Sequence, residues 1–148
     1  MYIELHARSA FSFLEGASNP EALVQACVAH GMPSMALLDR DGLYGAARFH
    51  LAAQKAGIQA HIGAEVSCVG GWRYPLLVAS AEGYRNLCQL ITRMKLRAPK
   101  GEGAIETKEL AEFSSGLICL TGGSEGPLAY ALRTGGKEEA RHHCEHCP

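Results

Sequence analysis

The sequence predicts an α/β fold in which most of the strands run parallel. Short apolar stretches alternate with amphipathic stretches of helical periodicity along the 148 residues. The apolar stretches are rich in Leu, Ile and Val, which is usual for strands that are covered on both faces. Alternation of this kind favours strand–helix–strand units. A composition that is 47% hydrophobic and 20% charged is typical of a globular domain.

The first half of the chain predicts four strands and two helices. The strands are expected at residues 2–6, 35–38, 58–62 and 64–69. The first helix begins at Ser18-Asn19-Pro20-Glu21, where a capping oxygen, a proline and an early carboxylate coincide, and it ends at Gly31. The second helix runs from about residue 44 to residue 56, and Gly57 closes it.

The second half predicts a hairpin turn, two strands and three helices. Gly70-Gly71 forms the turn before a strand at residues 72–79. Ser80 caps a helix that reaches about Lys95, and Thr107 caps a short helix that ends near Phe113. A strand at 117–120 and a short helix at 127–132 follow. Residues 134–148 are expected to be an atypical tail that is disordered or truncated.

Charge and cysteine usage argue against several classes of protein. The formal net charge is −1, whereas a free-standing DNA-binding domain usually carries a basic excess. No apolar run reaches the length of a membrane span, and the first residues do not resemble a signal peptide. The six cysteines are therefore expected to be reduced, and the protein to be cytoplasmic.

Polar side chains follow the ends of the predicted strands. In α/β folds the reacting groups lie at the carboxyl ends of strands and on the loops that follow them. The residues in such places are His6, Arg8, Ser9, Glu15, Asp39, Arg40, Asp41 and Glu65. Histidines and carboxylates on one rim would suit divalent metals that activate water for phosphoester hydrolysis.

Three segments carry the polar residues at the predicted strand ends, namely Tyr2–Ser18, Leu38–Gly45 and Ile62–Val66. In this order they resemble the first three motifs of PHP (polymerase and histidinol phosphatase) domains in bacterial C-family DNA polymerases. Tyr74–Leu87 and Leu117–Gly123 are similar to later elements. The run Phe-Ser-Phe-Leu-Glu-Gly-Ala-Ser is most similar to the error-prone translesion branch. The resemblance implies a partial PHP domain over residues 2–133.

The resemblance also implies a fold and a chemistry. PHP domains are distorted (β/α)7 barrels with a trinuclear metal site at the carboxyl-end rim. Active members are phosphoesterases, and some in polymerases are proofreading 3′–5′ exonucleases. This chain would cover only the first half to two-thirds of such a barrel. The unfilled sheet edge is then expected to favour self-association.

The ligand set departs from the family pattern at four positions. Histidines are expected where Arg8, Arg40 and Pro75 stand, and a cysteine where Gly123 stands. Arginine carries a permanent charge and has no lone pair for a cation. The remaining candidate ligands are His6, Glu15 and Glu65, which are too few for a trinuclear cluster. No cofactor is expected, although the remnant set leaves room for one weakly held zinc or manganese ion.

The function that the resemblance implies is that of a scaffold. The parent would be an error-prone DNA polymerase III alpha-type enzyme that serves DNA replication and translesion repair synthesis. Its other domains would be the partners of this one, and DNA would be bound through the parent. Arg8 and Arg40 are each expected to pair with Glu15, Asp39 or Glu65 instead of supporting nuclease activity.

Two alternatives to the scaffold stay open at this stage. One is a metal-dependent PHP phosphoesterase or 3′–5′ exonuclease. The other is a small anion- or metal-binding module, which would use either the rim arginines or the tail residues 142–147.

Overall fold

The computed structural model describes residues 2–146. The chain divides into two compact units, residues 1–65 and residues 66–148. Each unit contains both helices and strands. No helix among the described residues is long and apolar enough to cross a bilayer.

The first unit is built on three parallel strands and two helices. Its elements are β1 (Glu4–Ala7), α1 (Pro20–Ala29), β2 (Ser34–Arg40), α2 (Ala46–Ala56) and most of β3 (Gln59–Ser67). β2 pairs parallel with both β1 and β3. The sequence predicted two strands on either side of Gly63, but this glycine lies inside β3 and pairs with Leu38. The parallel α/β prediction is confirmed for this unit.

Local signals in the sequence explain the helices of the first unit. Asn19 is extended and Pro20 occupies the first turn of α1, where a missing amide hydrogen costs nothing. α2 ends at Gly57, which adopts a left-handed conformation with φ of 71°. Both helices pack onto the sheet through a fully apolar cluster. Its members are Val24, Cys27, Met35, Leu37, Phe49 and Ala53.

The second unit combines three helices with a short antiparallel strand pair. Its elements are β4 (Arg73–Val78), α3 (Ala81–Arg97), α4 (Thr107–Phe113), β5 (Leu117–Cys119) and α5 (Pro127–His146). β4 and β5 run antiparallel. α5 contains a kink at Gly136 and extends well past the short helix that the sequence predicts at 127–132. Five strands are present in the described residues, compared with the seven of the expected barrel.

Two helix caps and one close backbone contact position the helices of the second unit. Ser80 caps α3 as predicted, since its side chain accepts a hydrogen bond from the Gly83 amide. Thr107 does not cap α4; the N-cap is Glu106, which forms a reciprocal capping box with Glu109. A Cβ at Gly83 would lie 1.8 Å from the carbonyl oxygen of Gly116, so only glycine allows α3 to approach that loop.

Candidate functional site

The residues that the sequence singled out come together at one rim of the first unit. His6 lies in β1, and Arg8 follows that strand directly. Arg40 ends β2 and pairs in register with Glu65 of β3. Because the strands are parallel, their carboxyl ends meet at the same edge of the sheet. The predicted clustering of these side chains is therefore present in the structure.

Glu65 is the buried centre of this cluster. Its side chain is only 3% exposed, and its Oε1 lies 3.1 Å from His6 Nε2. Nη2 of Arg8 lies 2.8 Å from Oε1 and 2.7 Å from Oε2. Burial alone would raise the pKa of Glu65, but the hydrogen bonds from His6 and Arg8, together with the charge of Arg8, hold it below the usual value. Glu65 is thus held as a carboxylate.

Glu15 extends the cluster by bridging two arginines. Its Oε2 accepts a hydrogen bond from Arg8 Nη1 at 3.2 Å, and its Oε1 accepts one from Arg40 Nη1 at 2.8 Å. Nε of Arg40 also lies 3.5 Å from Asp41 Oδ2. The guanidinium of Arg8 therefore joins the two carboxylates of Glu65 and Glu15, and the guanidinium of Arg40 closes the outer side.

Asp39 takes a different set of partners from the one that the sequence suggested. It is 1% exposed and accepts hydrogen bonds from the amide of Ser9 at 2.9 Å and the amide of Gly45 at 3.0 Å. The hydroxyls of Ser9 and Ser12 donate to it at 2.8 and 2.9 Å. The sequence suggested the arginines as partners of Asp39, but these four donors are uncharged amides and hydroxyls. Asp39 anchors the loop after β1.

Ser9 was expected among the polar residues after the first strand, but its bonds to Asp39 were not predicted, and Ser12 was not identified from the sequence. Both are buried, and Ser12 Oγ also accepts a hydrogen bond from the backbone amide of Arg40 at 3.0 Å. The available signal was a pair of serines three residues apart, directly after a strand, where hydroxyls commonly bond to nearby backbone or carboxylate groups. Ser12 thereby ties the loop to the end of β2, next to Arg40.

The loop between β1 and α1 is compact and directs the Glu15 side chain toward the arginines. The carbonyl of Ser12 accepts hydrogen bonds from the amides of Glu15 and Gly16, both at 2.9 Å. A Cβ on Gly16 would lie 1.9 Å from the carbonyl oxygen of Ser9, so glycine is required there. Leu14 adopts a left-handed backbone with φ of 65°, which is uncommon for a non-glycine residue. This geometry sets the direction of the next side chain, Glu15.

The two other departures from the ligand pattern lie in the second unit. Pro75 is a residue of β4, and its carbonyl accepts a hydrogen bond from the amide of Leu120 at 2.9 Å. Gly123 follows β5, and a Cβ there would meet nothing within 4 Å. Neither residue offers a side chain that can bind a metal.

The tail residues were a separate candidate for zinc. Among the side chains of residues 2–145, no three histidine or cysteine ligand atoms converge to metal-binding distance. The side chain of His146 lies outside this description. His143 instead packs against aromatic rings, 6.1 Å from the Trp72 centroid and 6.2 Å from that of Tyr74. Cys147 lies outside the described residues.

The donor set of the rim does not fit a trinuclear metal cluster. Carboxylate oxygens of Glu15 and Glu65 lie within 4.8 Å of each other, which is close enough to share a cation. Arg8, however, is hydrogen-bonded to both of them. A metal between these carboxylates would have to displace a guanidinium that repels it and cannot ligate it.

Comparison with known proteins gives one family and a consistent set of relatives. The profile of the PHP domain family matches residues 4–147. The error-prone DNA polymerase of Symbiobacterium thermophilum is 37% identical over 94% of this chain and 14% of its own length. The error-prone DNA polymerase of Dechloromonas aromatica is 42% identical over 80% of this chain and 12% of its own length.

A replicative enzyme and two solved structures extend the comparison. The DNA polymerase III subunit alpha of Buchnera aphidicola is 35% identical over 90% of this chain and 12% of its own length. A structure described as a metal-dependent phosphoesterase from Bifidobacterium adolescentis aligns with a TM-score of 0.51 and 16% identity, covering 98% of this chain and 54% of that one. An amidohydrolase from Chromobacterium violaceum aligns equally well at 19% identity, over the same shares. At such identities the two structures support the fold alone.

Proposed function

The chain belongs to the PHP domain family, and we propose that it serves as a non-catalytic scaffold domain of an error-prone DNA polymerase. It is homologous to a segment of error-prone polymerases, and it spans 12–14% of the length of the curated relatives described above. The activity of those whole proteins would reside in the much longer remainder. The role proposed for this segment is to fold as a unit and support that remainder.

One observation carries the proposal, namely the position of the Arg8 guanidinium. It is hydrogen-bonded to Glu65 at 2.8 Å and to Glu15 at 3.2 Å, so it occupies the space between the two carboxylates that remain from the ligand pattern. Arg40 neutralises the other oxygen of Glu15. The positive charges of a metal cluster are thus replaced by two fixed guanidinium groups, which keep the carboxylates charged and in place without supplying a metal-bound water.

In this proposal the parent protein carries out DNA synthesis across damaged template during replication and repair. The partners of the segment are the other domains of the polymerase chain. DNA contact occurs mainly through those domains, because the segment has a net charge of −1 and no basic excess with which to neutralise phosphates. No cofactor is required for a scaffold role, and a single zinc or manganese ion would bind only weakly in competition with Arg8.

Metal content and phosphoesterase activity test the proposal directly. The purified chain is dialysed against zinc or manganese, its metal is measured, and release of nucleotides from a DNA 3′ end is followed. We expect well under one equivalent of metal and no release above background. About three equivalents of metal, together with hydrolysis that Glu65→Ala abolishes and the exposed control Glu102→Ala preserves, would refute the scaffold role and establish an active phosphoesterase.

A variant that restores two imidazoles tests whether the arginines are what prevents metal binding. Arg8→His with Arg40→His restores two imidazoles to the rim beside His6, Glu15 and Glu65, and it removes both guanidinium groups. We expect this variant to bind zinc measurably more tightly than the wild type, because imidazole nitrogen is a preferred zinc ligand. Arg48→His serves as the matched control, since Arg48 pairs with Glu21 outside the cluster.

The charge balance disfavours the other alternative, an anion-binding module. Arg8 and Arg40 both lie within the cluster, but their guanidinium groups are in contact with the carboxylates of Glu15, Glu65 and Asp41. Three carboxylates therefore face two cations, and a phosphate would have to displace negative charge before it could bind. Inorganic phosphate is accordingly expected not to raise the melting temperature.

A further inference from the structure

The segment between α3 and α4, residues 98–106, is attached to the end of β3 within the second unit. The Ile105 amide donates to the carbonyl of Ser67, and the Ile105 carbonyl accepts from the amide of Val69, both at 2.8 Å. Ile105 also forms a parallel bridge with Cys68, and its side chain is fully buried. One residue of the segment therefore pairs with the end of β3 as a strand would.

The middle of the segment has a different character. Residues 99–102 are exposed. Gly101 has φ of 92°, and a Cβ there would meet nothing within 4 Å. A stretch with few buried apolar contacts opens at a lower cost in free energy than the core does. The attachment of the segment consequently depends on its two ends.

Arg97, the last residue of α3, connects the segment to both flanking helices. Its Nη2 donates to the carbonyl of Ala104 at 2.6 Å. The guanidinium also forms two hydrogen bonds with Glu109 of α4, from Nη1 at 2.6 Å and from Nη2 at 2.8 Å. Paired bonds between a guanidinium and a carboxylate are stronger and more directional than bonds between neutral groups.

Glu109 holds the other end of the segment. Its Oε2 accepts a hydrogen bond from the backbone amide of Glu106 at 2.8 Å, which is one half of the capping box of α4. The residue is 5% exposed, so this carboxylate is largely shielded from water. Glu109 thus joins the end of α3 to the start of α4, and these two points bracket the segment.

We propose that residues 98–106 form a strap over the end of β3, and that the Arg97–Glu109 pair is the latch that keeps this strap closed. Opening of the strap breaks the two backbone bonds of Ile105 and uncovers Cys68, which is 4% exposed in the closed form. The buried side chains of α3 stay in place during this motion. The strap is therefore a conformational device within a folded unit, and its opening is separate from unfolding of the unit.

The size of the effect follows from the exposure of the latch. The side chain of Arg97 is 41% exposed and that of Glu109 is 6% exposed. The latch thus lies between an exposed ion pair and a fully buried charged hydrogen bond. Its loss is expected to raise the equilibrium constant for opening by a factor of about 5 to 30.

Amide hydrogen exchange of the full chain measures the opening. Glu109→Gln removes the charge of the latch, and it keeps a side-chain oxygen for the capping box because glutamine also serves at that position. This variant should speed exchange of the Ile105 and Val69 amides by the factor given above. The amide of Leu90, in the buried part of α3, should exchange at the rate of the wild type.

The matched control is Glu112→Gln on the same helix. Glu112 forms an ion pair with Arg93 at 2.6 Å, outside the strap. This variant loses a charge of the same kind and should leave the exchange of the strap amides unchanged.

A second variant and a second measurement complete the test. Arg97→Met removes the latch from the other side, keeps an apolar stem, and should accelerate the strap amides at least as much as Glu109→Gln. Alkylation of Cys68 by iodoacetamide should rise by a similar factor in both latch variants, while alkylation of the buried Cys27 should not change.

Three results would overturn the proposal. In the first, both latch variants are folded by circular dichroism and exchange the strap amides at the wild-type rate. In the second, the Leu90 amide accelerates as much as the Ile105 amide, so that opening is global. In the third, both latch variants are unfolded, so that the Arg97–Glu109 pair holds the whole unit rather than a strap.

Discussion

Replacing Asp39 with asparagine should destabilise the first unit more than its small change in shape suggests. Both carboxylate oxygens of Asp39 accept a backbone amide: Oδ1 accepts from Ser9 and Oδ2 accepts from Gly45. Asparagine offers one oxygen and one NH2 group. In either orientation of the amide, the NH2 group therefore faces a backbone N–H, and one buried donor loses its acceptor.

The magnitude can be worked out from these contacts. A buried donor left without a partner costs about 1–3 kcal/mol. The remaining hydrogen bonds, including those from the hydroxyls of Ser9 and Ser12, also weaken because their acceptor is no longer charged. The relief of carboxylate burial offsets part of this loss. We expect a net decrease of about 3 kcal/mol in the free energy of unfolding.

Urea denaturation followed by circular dichroism measures this difference. The matched control is Glu102→Gln, an equally conservative carboxylate-to-amide change at an exposed position. A surface substitution of this kind should lose no more than about 0.5 kcal/mol. A loss below about 1 kcal/mol for Asp39→Asn, or equal losses for the two variants, would refute the anchoring role of Asp39.

Two further predictions concern the same rim. Gly45→Ala would place a Cβ 2.6 Å from Asp39 Oδ2 and should lower the free energy of unfolding in urea by about 1–3 kcal/mol. Gly123→Ala, where a Cβ meets nothing within 4 Å, should leave it nearly unchanged, and equal losses would contradict the prediction. Because the folded-state pKa of Glu65 is below its usual value, the Glu65 charge stabilises the fold above the unfolded-state pKa of about 4.3, and this stabilisation is lost as pH falls through the folded pKa. Thermal melts of Glu65→Gln should therefore show a shallower loss of stability in acid than the wild type, and parallel acid limbs would contradict this.

Local signals made most of the elements predictable. Pro20, Gly57 and Ser80 mark helix ends by chemistry that acts within a few residues, and the structure follows each of them. The predicted capping oxygen before Pro20 is not used, because the N-cap Asn19 makes no side-chain capping hydrogen bond. The failures were also local. Gly63 suggested a break, yet pairing with Leu38 keeps β3 continuous, because a ladder of hydrogen bonds outweighs the weak preference of one glycine.

The site was less predictable than the elements. The positions of the site residues at predicted strand ends indicated that they would cluster. Those positions did not predict which carboxylate each arginine would contact. Asp39 was grouped with the arginines, although its donors come from Ser9, Ser12 and Gly45. Burial decided this outcome, because a carboxylate inside the fold binds the amides and hydroxyls that enclose it.

The sequence by itself determined the family, because five segments match its motifs in order. It also placed arginines at two positions where the resemblance leads us to expect histidines, and an arginine cannot bind a metal in any fold. Only the tertiary structure decided which side chain lies between the carboxylates of Glu15 and Glu65. Arg8 reaches Glu65 across 57 positions of sequence, and Arg40 reaches Glu15 across 25. Contacts of that range depend on how parallel strands align, which is set by packing of the whole unit rather than by any local pattern.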